Sequence, residues 1–267
     1  MGASVFTQDR EWLAGVGAGE LVAAPLTVFC DFDGPIMDVS DRYYYTYCSA
    51  IAHVKESLAS TDLDAFHAIQ LLSKSVFWDL KQNRAPDLEI AMRSGLKPSH
   101  MDQFTGHVQS IVNQPSLLSH DKLQTGGRWA LMQLRSQGIR LVLVTLRQQE
   151  QVLTILHEEG LHHLFNDVWG SHDAMAAYHN QANHKEVLLR QAFEAAQRGS
   201  STPIQTCMIG DTEADILAGQ AVGIPTVALS CGVRSRRYLE SYRPSRIYPN
   251  LLTAVQSILA QRLLQAA

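Results

Sequence analysis

Apolar and polar positions fall in blocks along this chain. Leu26-Thr-Val-Phe-Cys30 is a short β-prone run that ends abruptly at Asp31, and a continuous apolar run of that length reads as a strand buried on both faces. Similar runs follow at Ile139–Leu146, Phe165–Gly170, Thr206–Gly210 and Ile224–Leu229, with a last short one at residues 246–248. Helical patterns lie between and after them: Leu123–Gln137 stopped by Gly138, Arg147–Glu159 stopped by Gly160, Asn183–Gln197, Thr212–Ala221 and Leu251–Leu264. Strands alternating with helices predict an α/β fold, a Rossmann-like parallel sheet with helices on both faces.

Residues 41–118 break this alternation. Ser40 is a suitable N-cap for a helix over Asp41–Leu58, whose Tyr43, Tyr44, Tyr45 and Tyr47 cover more than one face. Thr61 can cap Asp62–Leu72, Ser73 or Ser75 can start Val76–Leu80, and Pro86 suits a first helical position. Gly95 closes that helix and Pro98 opens the next. No strand pattern appears between Asp38 and Leu123. The reading is an all-helical cap of residues 41–118 inserted into a core made of 26–40 and 119–267. Residues 1–25 form an N-terminal extension, closed by Pro25, that is expected to pack weakly or stay mobile.

Chemistry concentrates at the strand ends. Asp31 and Asp33 are spaced i, i+2, so in an extended chain they project to one side, roughly 6.5–7 Å apart at Cα. One carboxylate can then attack a substrate while the other handles a proton. Gly34 allows a sharp turn and a close backbone approach to a ligand. The second strand, Leu141-Val-Leu-Val-Thr145, ends in a hydroxyl residue, Lys185 opens a helix after a polar loop, and Thr206-Cys-Met-Ile-Gly210 runs into Asp211-Thr-Glu-Ala-Asp215. Asp31, Asp33, Asp211 and Asp215, if gathered at one site, would repel one another and any anionic substrate unless a cation intervened. Mg²⁺ is the hard, oxygen-seeking ion that suits a site of few carboxylates.

These four motifs, in this order from residue 26 to about 230, resemble the haloacid dehalogenase superfamily. Its phosphatase members carry Asp-x-Asp-Gly-x-x-x-Asp after the first core strand, here Asp31-Phe-Asp33-Gly34-Pro-Ile-Met-Asp38. The helical insert resembles the type-one cap of that superfamily, which lies over the strand ends as a lid. Motif and cap type together resemble phosphoglycolate phosphatases. The resemblance implies that Asp31 is the nucleophile, forming an aspartyl-phosphate, and that Asp33 protonates the leaving group and then activates water. It implies Mg²⁺ on the side chains of Asp31 and Asp211 and on the backbone carbonyl of Asp33. Asp215 would act through water or by holding Lys185, with Glu213 as a competitor for that supporting role. Thr145, the Leu146 amide and Lys185 would bind the phosphate.

Other substrate contacts are less tied to a motif. Gly34 and Arg147 are candidates in the core, and Lys81 and Arg84 in the cap, where the polar break Lys81–Pro86 could face the leaving group. Pro35 stands where Thr or Val is common, which removes a backbone donor and bears on substrate preference. The sequence therefore predicts a Mg²⁺-dependent phosphatase of a small phosphorylated metabolite. A phosphomutase of the same superfamily uses the same aspartates and stays open as an alternative, as does a non-catalytic phosphate-binding regulator.

Composition narrows the classes. A net charge of −4 over 267 residues offers no basic stripe for nucleic acid. No apolar run approaches the ~18 residues of a membrane span, and the N-terminus lacks the basic-then-apolar plan of a signal peptide. Cys30, Cys48, Cys207 and Cys231 form no Cys-x-x-Cys pair, so buried free thiols and a cytoplasmic location are expected. The histidines at 157, 162, 163, 172, 179 and 184 match no spacing that binds zinc.

Overall fold

The computed structural model describes residues 25–199 and 202–266. The expected extension, up to residue 24, lies outside the described residues. Six strands form one parallel sheet: β1 (Leu26–Cys30), β4 (Arg140–Gln148), β5 (Asp167–Ser171), β6 (Gln205–Gly210), β7 (Thr226–Leu229) and β8 (Arg246–Tyr248). Their spatial order is β5-β4-β1-β6-β7-β8. β1 is therefore central, with Val28 paired to Leu141 on one side and to Cys207 on the other.

Residues of these strands divide between two cores by the period-2 rule. Val28, Cys30, Leu141, Leu143, Cys207 and Ile209 enter one cluster, while Phe29, Val142, Val144 and Met208 enter the other. The first cluster is covered by α7 (Gly127–Ser136), α8 (Gln149–Glu158) and α13 (Leu251–Ala266), through residues such as Leu131, Leu156 and Val255. The second is covered by α10 (Ala182–Arg198) and α11 (Glu213–Val222), through Leu189, Ala192 and Ala218. Both faces of the sheet are thus sealed, which is why its strands read as unbroken apolar runs. All four cysteines are free thiols, with Cys30 and Cys207 fully buried.

The helical cap enters and leaves through a two-strand antiparallel ribbon, β2 (Met37–Asp38) against β3 (Lys122–Leu123). The sequence pattern missed this ribbon, because two residues per strand show no period. The missed β3 shortens the helix expected from Leu123, which begins only at Gly127 after a left-handed Gly126. The cap contains α1 (Ser40–Leu58), α2 (Leu63–Ala68), α3 (Lys74–Gln82), α4 (Asp87–Arg93), α5 (Met101–Ile111) and α6 (Pro115–Leu118). Its core joins Tyr47, Ile51, Phe77, Ile90, Phe104 and Val108.

Caps differ in detail from the sequence reading. Ser40 is inside α1 rather than capping it, and its amide bonds the Asp38 carboxylate at 2.9 Å. Asp62, not Thr61, caps α2, whose helix stops at Ala68. Ser73 caps α3 as anticipated. The polar loop expected before α10 contains a short helix, α9 (Ala176–His179), and a further short helix, α12 (Arg236–Glu240), lies in a stretch to which the sequence pattern assigned no element. Among the described residues no helix is long and apolar enough to cross a membrane.

Candidate active site

The ends of β1, β4 and β6 lie side by side, and each carries a residue singled out from the sequence. Asp31 follows β1, Thr145 lies in the last part of β4, and Asp211 follows β6. In open parallel sheets ligands bind beyond these carboxyl ends, where the strand order reverses. Here that point is β1, which has β4 on one side and β6 on the other.

Lys185 comes from the first turn of α10 and is buried, with 1% of its surface exposed. Its Nζ lies 2.8 Å from Asp31 Oδ1 and 2.7 Å from Asp215 Oδ1. Burial would lower its pKa, but the charges of Asp215 and Asp31 outweigh burial and raise it. Asp215 in turn closes the capping box of α11, accepting from the Thr212 amide at 3.1 Å and hydroxyl at 2.9 Å. Capping thus fixes Asp215, and Asp215 fixes the lysine.

Three carboxylates, Asp31, Asp211 and Asp215, each offer an oxygen within 4.8 Å of the others. One lysine does not balance them. Burial pushes Asp31 up to about 7 despite Lys185, and burial together with the charges of Asp215 and Asp31 raises Asp211 strongly. Asp211 Oδ2 accepts from the Val233 amide at 2.5 Å, while its buried Oδ1 has no hydrogen-bond partner. An unpartnered carboxylate oxygen in an anionic, oxygen-rich cluster fits a hard divalent cation.

Glycines make room for these carboxylates. A Cβ at Gly210 would lie 2.1 Å from Asp215 Cγ, and one at Gly232 would lie 2.0 Å from Asp211 Oδ2. Gly34 was expected to approach a ligand, but its amide bonds Met37 O at 2.7 Å and its carbonyl accepts from Gln124 at 2.9 Å. Both of its backbone groups are occupied. Its close approach is instead to the Asp211 side chain.

The side chain of Asp33 turns away from that cluster. Its Oδ1 meets Arg147 Nη1 at 2.9 Å and its Oδ2 meets Arg42 Nη2 at 2.8 Å. Burial would raise its pKa, yet Arg147 and Arg42 outweigh burial and hold it below the usual carboxylate range. Both arginines also bind Asp121, Arg147 Nη1 at 2.7 Å and Arg42 Nε at 3.0 Å. Sequence reasoning had singled out Arg147 but neither Arg42 nor Asp121, which belong to no motif.

A cavity of about 90 Å³ separates these groups from the cap. Asp31, Asp33, Thr145, Leu146 and Arg147 line it from the core, and Tyr43, Tyr47, Phe77, Lys81 and Arg84 from the cap. Two of the four clustered tyrosines therefore face it, while Tyr45 is 45% exposed. Tyr47 is fixed by Ser94 at 2.7 Å and by the Leu72 amide at 2.8 Å. Arg147 Nη2 is buried with no hydrogen-bond partner, leaving one guanidinium nitrogen of a cavity-lining residue free.

The cap turn after α3 docks on the core. Lys81 pairs with Asp87 at 3.0 Å, and Arg84, with φ of 61°, pairs with Glu213 at 3.3 Å. Gln82 donates to Gly232 O at 2.9 Å, and its own carbonyl accepts from the Ser235 amide at 2.9 Å. Glu213, considered from the sequence as a support for the metal, is instead held in a fork by Arg234 at 2.8 and 3.2 Å. Burial raises Glu213, but Arg234 outweighs it and the carboxyl stays below its ordinary range. Arg234, itself 2% exposed, was not anticipated; it lies past the last motif in a segment without helical or strand period.

Comparison with known proteins agrees with this geometry. Residues 28–229 match the family model of haloacid dehalogenase-like hydrolases. Pyrophosphatase PpaX of Bacillus mycoides is 30% identical over 221 residues, 83% of this chain and 91% of that protein. A haloacid dehalogenase-like hydrolase from Streptococcus pneumoniae superposes with a TM-score of 0.58 at 21% identity, over 88% of this chain and 99% of its own. The crystal structure of a predicted phosphatase from Clostridium acetobutylicum gives a TM-score of 0.61 at 17% identity, over 90% and 100%. With the motif residues gathered at adjacent strand ends and the family match spanning all of them, this chain belongs to the haloacid dehalogenase-like hydrolases.

Proposed function

We propose that this protein is a Mg²⁺-dependent phosphatase of a small phosphorylated metabolite, working through Asp31. The observation that carries the reading is the contact of Lys185 Nζ with both Asp31 and Asp215, beside the unpartnered oxygen of Asp211. It combines a buried nucleophile, a fixed positive charge for the phosphoryl oxygens and a donor set for a divalent cation.

Mg²⁺ would be held by the side chains of Asp31 and Asp211 with the Asp33 carbonyl, and when bound it would neutralise charge on the transferring phosphoryl group. Asp31 attacks phosphorus, the bond to the leaving oxygen breaks, and Asp33 supplies the proton that oxygen needs. Water then attacks the aspartyl-phosphate, Asp33 takes the water's proton, and inorganic phosphate departs. Lys185 and the Thr145 hydroxyl hold the phosphoryl oxygens throughout. The pull of Arg147 and Arg42 keeps Asp33 ionised in the resting protein, which suits the second half. For the first half it must take up a proton as substrate binds.

The free Nη2 of Arg147 favours a leaving group that is itself anionic, a second phosphoryl or a carboxylate. Inorganic pyrophosphate has that character, and the relative named pyrophosphatase makes it the first substrate to try. The test is phosphate release from pyrophosphate and a panel of phosphorylated small metabolites with Mg²⁺, run beside Asp31→Asn. Stoichiometric turnover lost by several orders of magnitude in that variant is the expected result. Turnover within roughly tenfold of wild type, ~1.4 kcal/mol of barrier, would remove Asp31 from the nucleophile's role.

A further inference from the structure

The two arginines and two aspartates around the cap's entry form a closed ring. Asp33 Oδ1 meets Arg147, Arg147 meets Asp121, Asp121 meets Arg42, and Arg42 returns to Asp33 Oδ2, every link between 2.7 and 3.0 Å. The side chains of Arg42, Asp121 and Arg147 are only 2–3% exposed. Burying four charges is costly, and apolar residues of similar size would often serve stability as well. A ring retained against a candidate catalytic carboxylate therefore calls for a role beyond packing.

Its geometry supplies one. Each oxygen of Asp33 has its own arginine, so the carboxylate cannot rotate without breaking a charge-assisted bond. Neither arginine could hold that position alone, since both are long and rotamer-rich. Asp121 is the group that ties them: its Oδ2 accepts from the same Arg147 Nη1 that meets Asp33, and its Oδ1 forms an ion pair with Arg42 Nε that lies outside hydrogen-bond geometry. Arg42 lies in the first turn of α1, where the chain enters the cap, and Asp121 directly precedes β3, where the chain returns. The β2–β3 ribbon, pairing Asp38 with Lys122, keeps those two crossings adjacent.

We propose that Asp121 and Arg42 are positioning residues that hold Asp33 in line with the leaving-group oxygen, so that seating of the cap and aim of the acid are one event. The inference rests on the reading of Asp33 as the proton donor.

The test compares leaving groups. p-Nitrophenolate departs with little help from a proton, whereas an alkoxide needs one, so misplacing the acid harms alkyl phosphates selectively. kcat/KM, which reports the steps up to departure of the leaving group and not the later hydrolysis common to both esters, is measured for wild type, Asp33→Asn, Asp121→Asn and the double variant, on p-nitrophenyl phosphate and on the best alkyl phosphate of the substrate panel. Asp33→Asn should lose at least about 100-fold more on the alkyl ester than on the aryl ester. Asp121→Asn should show the same selectivity at about tenfold or more in kcat/KM, and should add nothing in the Asp33→Asn background. Equal losses on both esters from Asp121→Asn, or an additive loss in the double variant, would overturn the proposal. If Asp33→Asn itself shows no selectivity, the reading of Asp33 as the acid fails and the inference falls with it. Arg42→Lys keeps the charge but loses the two-point contact; it carries the same comparison should Asp121→Asn not fold.

Discussion

Gly34 lies against the carboxylate of Asp211, so closely that a Cβ at position 34 would sit 2.1 Å from Asp211 Oδ2. Its φ of +91° is also one that side chains rarely adopt. Gly34→Ala is therefore expected to cost about 1–3 kcal/mol from the backbone alone, and to displace Asp211. Thermal unfolding with and without Mg²⁺ checks both effects: the variant should melt lower and gain less from Mg²⁺ than wild type does. A variant that melts and responds like wild type would mean that Asp211 can move aside freely.

Three buried carboxylates stand against one lysine at the site, and the proposed function therefore predicts dependence on a cation. Chelation by EDTA should abolish phosphate release and Mg²⁺ should restore it, while Ca²⁺, larger and less exacting in geometry, should bind but support turnover poorly. Mg²⁺ at about 100 times its Kd should stabilise the fold by about 2.7 kcal/mol, a gain that Asp211→Asn should lose. Full activity in a verified metal-free preparation would take Asp211 out of the proposed ligand set.

Acid should loosen one contact between cap and core in a defined window. Asp87 on α4 accepts from Tyr178 of the core at 2.9 Å and pairs with Lys81 at 3.0 Å. Burial would raise its pKa, but Lys81 and then Tyr178 outweigh burial and lower it from 3.8. A depressed carboxyl stabilises the fold fully above its ordinary value, and that contribution fades as pH falls through the folded-state value. Because Asp87 is partly exposed, Asp87→Asn should cost under about 1 kcal/mol at pH 7. The gap to wild type in denaturant unfolding should hold from pH 7 to 5 and close below 3.8. A gap that widens on acidification would contradict the assignment.

The cap turn offers a separate test of leaving-group recognition. Lys81 and Arg84 line the cavity, yet each already has a carboxylate partner. If they also bind an anionic leaving group, Lys81→Ala with Arg84→Ala should lower kcat/KM for the natural substrate about 10- to 100-fold, or ~1.4–2.7 kcal/mol. Hydrolysis of p-nitrophenyl phosphate should barely change. Equal losses on both substrates would indicate that the turn serves only to dock the cap, through Glu213 and Gly232.

Much of the site was legible from the chain alone, because its parts are local. An apolar run ending in Asp31, another ending near Thr145 and a third ending at Asp211 each declare a buried strand and the residue at its tip. Parallel strands then bring those tips together. Lys185 was legible as the start of a helix, and Asp215 as a residue in the first turn of the helix after Gly210, since both depend on patterns within one turn. The helical insert was equally plain, as its breaks are marked by Ser73, Gly95 and Pro98.

What the sequence could not show depends on pairs far apart in the chain. Arg147 meets Asp33 across 114 positions, and Arg234 reaches Lys81 across 153. Arg42 and Asp121 look like ordinary charges in a helix and a loop until the ribbon of β2 and β3 brings the two ends of the insert together. Gly34 reads as a turn residue, and only the packed structure reveals that Asp211 occupies the space its missing side chain leaves. Strand period, helix period and capping are set by neighbours along the chain, so the sequence determined them. The partners of a buried charge are set by which distant segments close over it, and that was decided only by the tertiary fold.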